Sequence, residues 1–217
     1  MNDDSRARIL ARIAAALGRD SSLAASTAAA NYARIARDYR AANGKSGRFI
    51  LDLFVRRLHE YDAACTHVAS HADLPAAIAS TLASRSMARL AFVSGIPADW
   101  LPQGWDFRAA ESLSVHELDR VAGILTGCTV AIAETGSIVL QSDPRQGLRR
   151  HTLIPDIHLC VVLESQIVAS VPQAFPHLVP DLPTTFISGP SATADIEMTR
   201  IRGVHGPRTL HVLLVAD

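Results

Sequence analysis

Apolar residues recur at two different spacings along the chain, and the change comes near residue 60. Ile9, Leu10, Ile13 and Leu17 keep the three- and four-residue spacing of one helix face, with Asp4 or Ser5 placed to cap it and Gly18 to stop it. A second helix is predicted over 27–40, where Tyr32, Ile35, Ala36 and Tyr39 share a face, and a third over 49–61. Between these two, NGKSGR at 43–48 is a turn or linker. After His59, short runs rich in valine and isoleucine take over. They predict strands at 66–69, 90–94, 128–133, 137–140, 158–163, 184–188 and 210–215. Helices fit at 74–84, 115–123, 166–178 and just after Ser191, the third of them disturbed by Pro172 and Pro176. Several strands are apolar at every position, as a sheet covered on both faces requires. The pattern predicts an α/β layer architecture over 61–217 with an N-terminal helical extension over 1–60.

At 217 residues the chain can bury a substantial core. Lys plus Arg and Asp plus Glu both number 21, so composition gives no electrostatic ground for a nucleic-acid partner. The first residues mix charge with the apolar stripe and have neither the basic start nor the uninterrupted apolar stretch of a secretory signal. No run approaches the ~20 apolar residues of a membrane span. A cytoplasmic protein is expected. Cys65, Cys128 and Cys160 are odd in number and far apart, which predicts buried thiols rather than disulfides or a metal site. They also fall short of the roughly four thiolates that hold an iron-sulfur cluster.

The common nucleotide, zinc-protease and hydrolase motifs are missing, and GKS at 44–46 fails as a P-loop because Tyr39 stands at the upstream glycine position. Three segments carry candidate chemistry. In GCTVAIAETGSIVL, 127–140, a tight turn at Thr135-Gly136 joins two apolar strands. Glu134 at its edge is either a base or ligand-binding carboxylate, or an acid that accepts turn amides or pairs with an arginine. In QGLRRHTLIPDIHLCVV, 146–162, Arg149 and Arg150 can fork onto an anion, or line a solvated loop with His158 tucked at the strand edge. In SGPSATADIEMTRIRGVHGP, 188–207, Ser191 caps the predicted helix carrying Thr193, Asp195 and Glu197, and His205 lies in a glycine-flanked loop. Asp195 and Glu197 face different ways on such a helix and do not form a glycosidase-type pair. Ser191, Asp195 and His205 could be arranged as a nucleophile triad, but no elbow or oxyanion signature accompanies them.

The strings AETGSIVL, RRHTLIPDIHLCVV, SGPSATADIE and GVHGP, in that order, resemble the LUD-domain family over roughly 60–217. The resemblance implies a fold of the NagB/RpiA/CoA-transferase kind, an α/β sandwich with a mostly parallel sheet. It implies a role in oxidising L-lactate to pyruvate alongside iron-sulfur partner subunits, with the clusters in the partners and no cofactor held by this chain. Glu134, Asp195 and His205 become the catalytic candidates. Thr135, Gly136, Ser188, Gly189, Ser191, Thr193, Glu197 and Gly206, with Arg149 and Arg150, become the substrate-binding candidates, and these loops are expected to converge on one pocket. Two other functions fit the same residues: a free-standing enzyme acting on a small anionic or acyl-CoA substrate, and a non-catalytic scaffold or regulatory module. The pattern also leaves room for an oligomer.

Overall fold

The computed structural model describes residues 3–18, 30–36, 47–194 and 200–217. The chain divides into two compact units, Met1–Tyr39 and Arg40–Asp217. In the first, α1 (Asp3–Ala16) forms where the apolar spacing predicts it, and its stripe of Ile9, Leu10 and Ile13 is exposed. Of the helix predicted over 27–40, residues 30–33 are helical and 34–36 are not; the rest lies outside the described residues.

The second unit opens with α2 (Arg48–Glu60), β1 (Ala64–Val68), α3 (Leu74–Ser84), β2 (Arg89–Phe92), β3 (Asp106–Ala109), α4 (Val115–Arg120) and β4 (Ile124–Thr126). It continues through β5 (Val130–Ile132), β6 (Ser137–Gln141), α5 (Arg149–Leu153), β7 (Ile157–Leu163), β8 (Ile167–Val168), α6 (Val171–Ala174) and β9 (Thr184–Ile187). β10 (Ala192–Ala194), β11 (Arg200–Arg202) and β12 (Thr209–Val215) complete it. The large sheet has the order β1-β12-β7-β4-β2-β3, with every neighbouring pair parallel. A smaller mixed sheet has the order β8-β5-β6-β9.

The central strands β7 and β12 are buried along almost their whole length, which explains their continuous apolar sequence. One face packs on α3 through Leu74, Ile78 and Leu82 and on α4 through Leu118. The other meets the small sheet and α2, where Leu53, Phe54 and Leu58 join Cys160, Val162, Val212 and Leu214 around Ala131 and Ile138. Each fully buried leucine or phenylalanine contributes about 1.5–3 kcal/mol. This burial places α2 with the sheet unit, whereas the apolar pattern assigns it to the extension ending at residue 60.

Four local expectations differ from the structure. The helix predicted after Ser191 is a strand: the Ser191 amide donates to Pro207 O (2.8 Å), and Ser191 O accepts from the Gly203 amide (2.8 Å). Those bonds hold the segment extended, and β10 pairs antiparallel with β11. The helix predicted over 166–178 is broken into β8, α6 and a 3-10 turn at Phe175–His177, because Pro172 and Pro176 tolerate only first-turn positions. The strand predicted at 128–133 begins later, at Val130, and the short β4 before it belongs to the other sheet. Segment 149–153, expected as a loop, is the helix α5 with His151 fully buried.

Candidate functional site

A cleft of about 340 Å³ opens at the amino ends of β7 and β12. Its walls come from α5, from the end of β9 with the following turn, and from the loop before β12. Of the expected residues, Arg149, Ser188, Gly189, Ser191, His205 and Gly206 line it. Sequence segments almost sixty positions apart therefore meet there, held by local chemistry that can be traced bond by bond.

Gly189 turns the chain at φ +81°, and a Cβ there would lie 2.6 Å from Tyr61 Cβ and 2.7 Å from Tyr61 O, so the turn is seated against the end of α2. The Ser191 hydroxyl accepts from the His205 amide at 3.0 Å, tying the two walls together. This contact uses the backbone of His205; its side chain is exposed at the mouth. Arg149 and Arg150 diverge. Arg149 faces the cleft, while the Arg150 guanidinium lies 3.3 Å from His151 Nε2 and is not among the lining residues.

The turn at 134–136 does not line the cleft, whereas Arg149, residues 188–192 and residues 205–207 of the other expected loops do. Gly136, at φ +60°, packs on α2, where a Cβ would come within 2.6 Å of Arg57 Cβ. Glu134 is half-buried at the same place; its amide donates to Ala169 O (3.1 Å). The Arg57 guanidinium is held charged above its ordinary range, first by a hydrogen bond and charge from Glu60, then by Tyr61 and Glu134. A chain of hydroxyls nevertheless joins turn and cleft. Thr135 Oγ1 lies 2.8 Å from Ser137 Oγ, and Ser137 Oγ, almost fully buried, lies 2.6 Å from Ser188 Oγ. Asp195 and Glu197 lie outside the described residues, and of Thr193 only the strand backbone is described.

The sequence offers His158 at a strand edge as one of two alternatives and gives it no site role; the structure puts it on the cleft floor, 1% exposed. Its Nε2 is 2.8 Å from Thr126 Oγ1, and its Nδ1 has no hydrogen-bond partner among the described residues. Burial lowers its pKa from 6.5 to about 4, so the ring is neutral at pH 7. A lone histidine inside an apolar run was the available signal. His211, on the adjacent strand, is matched to Thr66 in the same way (2.9 Å) and is lowered to about 4 by burial and by Arg85.

Among the described residues, the cleft combines the Arg149 guanidinium, the Ser188 and Ser191 hydroxyls with those of Thr152 and Thr185, the imidazole of His205 at the mouth and the neutral His158 ring on the floor, a set that suits a small carboxylate bearing a hydroxyl or carbonyl. Among the described residues, no group of three or more His, Cys, Asp or Glu side chains is arranged to hold a metal ion. Nor is any helix among them long and apolar enough to cross a membrane. A hollow of about 490 Å³ beside α2 is lined by Arg48, Asp52, His67 and Glu164 among others, and by none of the expected site residues that lie among the described residues.

Comparison with known proteins agrees with this architecture. Lactate utilization protein C of Deinococcus radiodurans is 48% identical over 171 residues, which cover 76% of this chain and 79% of that protein. Proteins of the same name from Macrococcus caseolyticus and Bacillus subtilis are 36% and 30% identical, and those alignments span about half of each relative, 52% and 54%. The crystal structure of a DUF162 family protein from Deinococcus radiodurans superposes with a TM-score of 0.69 at 43% identity, covering 79% of this chain and 99% of that one. Residues 51–215, from within α2 to the end of β12, match the LUD domain, and the chain belongs to the LUD domain family.

Proposed function

We propose that the protein is a non-cluster component of an L-lactate utilization system and that the cleft at the amino ends of β7 and β12 receives the hydroxy acid or its keto product. The observation that carries this is the 48% identity to a protein named lactate utilization protein C over most of both chains. The chemistry of the cleft supports it: Arg149 matches a carboxylate, and Ser188, Ser191 and His205 match the neighbouring oxygen. Oxidising lactate to pyruvate releases two electrons and two protons. This chain has three cysteines, two of them buried, so in this proposal the electrons pass to iron-sulfur partner subunits.

The test is purification of the tagged full chain from cells grown on L-lactate. Cysteine-rich, iron-containing proteins are expected to co-purify. Recovery of the chain alone and iron-free under those conditions overturns the partnership.

A further inference from the structure

The topology of the large sheet marks a second cleft, at the opposite ends of its strands. In the order β1-β12-β7-β4-β2-β3, the chain leaves β2 toward β3 on one side and leaves β4 toward β7 on the other. The adjacent strands β2 and β4 therefore form a topological switch point, and open parallel α/β sheets bind ligands in the crevice beyond the carboxyl ends of such strands. A cleft of about 300 Å³ lies there, within the size range of small-molecule sites. Gly95 and Ile96 after β2, Gly127 and Cys128 after β4, and Leu163 at the end of β7 wall it. None of the lactate-cleft residues lines it. His158 near the start of β7 faces the first cleft and Leu163 at its end faces the second, roughly 16 Å apart at ~3.3 Å per residue.

This crevice is built. The Gly95 amide donates to Pro144 O (2.8 Å) and the Gly127 amide to Arg145 O (2.9 Å), so the loop after β6 bridges the ends of β2 and β4. A Cβ on Gly95 would lie 2.5 Å from the Pro144 carbonyl carbon and 2.7 Å from Arg145 N, an approach that only glycine permits. Asp143 Oδ1 accepts from the Arg145 amide at 2.8 Å and fixes the loop further. Arg145 is thereby held at the crevice, and its side chain makes no ion pair among the described residues. The Trp100 indole and His71 imidazole, with ring centroids 6.1 Å apart and inclined at 40°, also line the cleft, as does Asp99.

We propose that this crevice binds a mononucleotide-like ligand, a planar ring carrying a phosphorylated sugar. Arg145 forks onto the phosphate. Trp100 supplies a face for the ring. Asp99 accepts from sugar hydroxyls; a carboxylate in the same cleft repels a bare anion but suits hydroxyl donors. The proposal is independent of the lactate reading.

Titration calorimetry of the full chain with AMP, nicotinic acid mononucleotide and inorganic phosphate, with tryptophan fluorescence in parallel, tests it. At least one mononucleotide is expected to bind with a submillimolar Kd and to change the fluorescence. Arg145→Gln weakens that binding about ten-fold or more, the loss of a charge-assisted fork, and Trp100→Phe removes the optical change. Arg149→Gln, in the other cleft, leaves it unaltered. Four results overturn the proposal: no mononucleotide binding at millimolar concentration, equal affinity in Arg145→Gln, an equal loss in Arg149→Gln, or inorganic phosphate binding as tightly as the mononucleotides.

Discussion

Replacing His158 with glutamine should make the protein less sensitive to acid. The unfolded imidazole titrates near 6.5 and the folded one near about 4, so between those values the unfolded chain binds more protons and stability falls as the pH drops. At ~1.36 kcal/mol for each pH unit between the two titration points, the full loss is about 3 kcal/mol, and about 2 kcal/mol of it has occurred by pH ~5. The cause is desolvation: the ring is 1% exposed, with Nε2 on Thr126 and, among the described residues, no partner at Nδ1 to stabilise a second proton. Urea unfolding of both proteins near pH 7 and near pH 5 checks this. His211 titrates alike in both and cancels in the difference. The native chain should lose about 2 kcal/mol more than His158→Gln over that interval. Equal losses in the two proteins would refute the assignment of a buried neutral imidazole.

Other consequences follow from the same geometry. Gly136→Ala combines a left-handed backbone at φ +60° with a Cβ driven against Arg57, and should destabilise by about 2 kcal/mol or more. Gly104→Ala, at φ +83° in open space, should cost only about 1 kcal/mol, so similar urea midpoints for the two variants contradict the packing of the 134–136 turn on α2. Ser137→Ala removes the middle hydroxyl of the Thr135–Ser137–Ser188 chain and should lower stability by about 1 kcal/mol; unaltered unfolding argues against that chain. Burial pushes the Cys65 thiol up to about 11, and a hydrogen bond with Cys160, together with burial, raises Cys128 above its ordinary value. Cys128 and Cys160 should thus react slowly with Ellman's reagent near pH 8, the half-buried Cys65 faster than either, and all three rapidly in urea; fast native labelling of all three would contradict the burial of Cys128 and Cys160.

The sequence pattern conveyed the layered α/β fold because β7 and β12 are buried throughout and advertise it in unbroken apolar runs. It missed β3, whose DFRA sequence is half polar because an edge strand can place Asp106 between Arg89 and Arg108 (2.6 and 2.8 Å). It also misjudged the segment after Ser191, where local capping chemistry suggested a helix and long-range bonds to residues 203 and 207 enforce a strand. The glycine-rich turns of the cleft were legible, since Gly189 sits where no Cβ fits. The role of His158 was not legible, because its burial is a property of the packed sheet. Nor was the separation of Glu134 from the cleft, which depends on α2 coming to rest against the turn.

The most direct test of the lactate assignment is growth on L-lactate as sole carbon source, in a strain lacking the gene and complemented with the native chain or with Arg149→Gln. Arg149 is exposed on α5, so the variant is expected to accumulate to the native level. The native chain should restore growth and Arg149→Gln should not. Undiminished growth without the gene, or full rescue by Arg149→Gln, would contradict a carboxylate-binding cleft at the centre of lactate use.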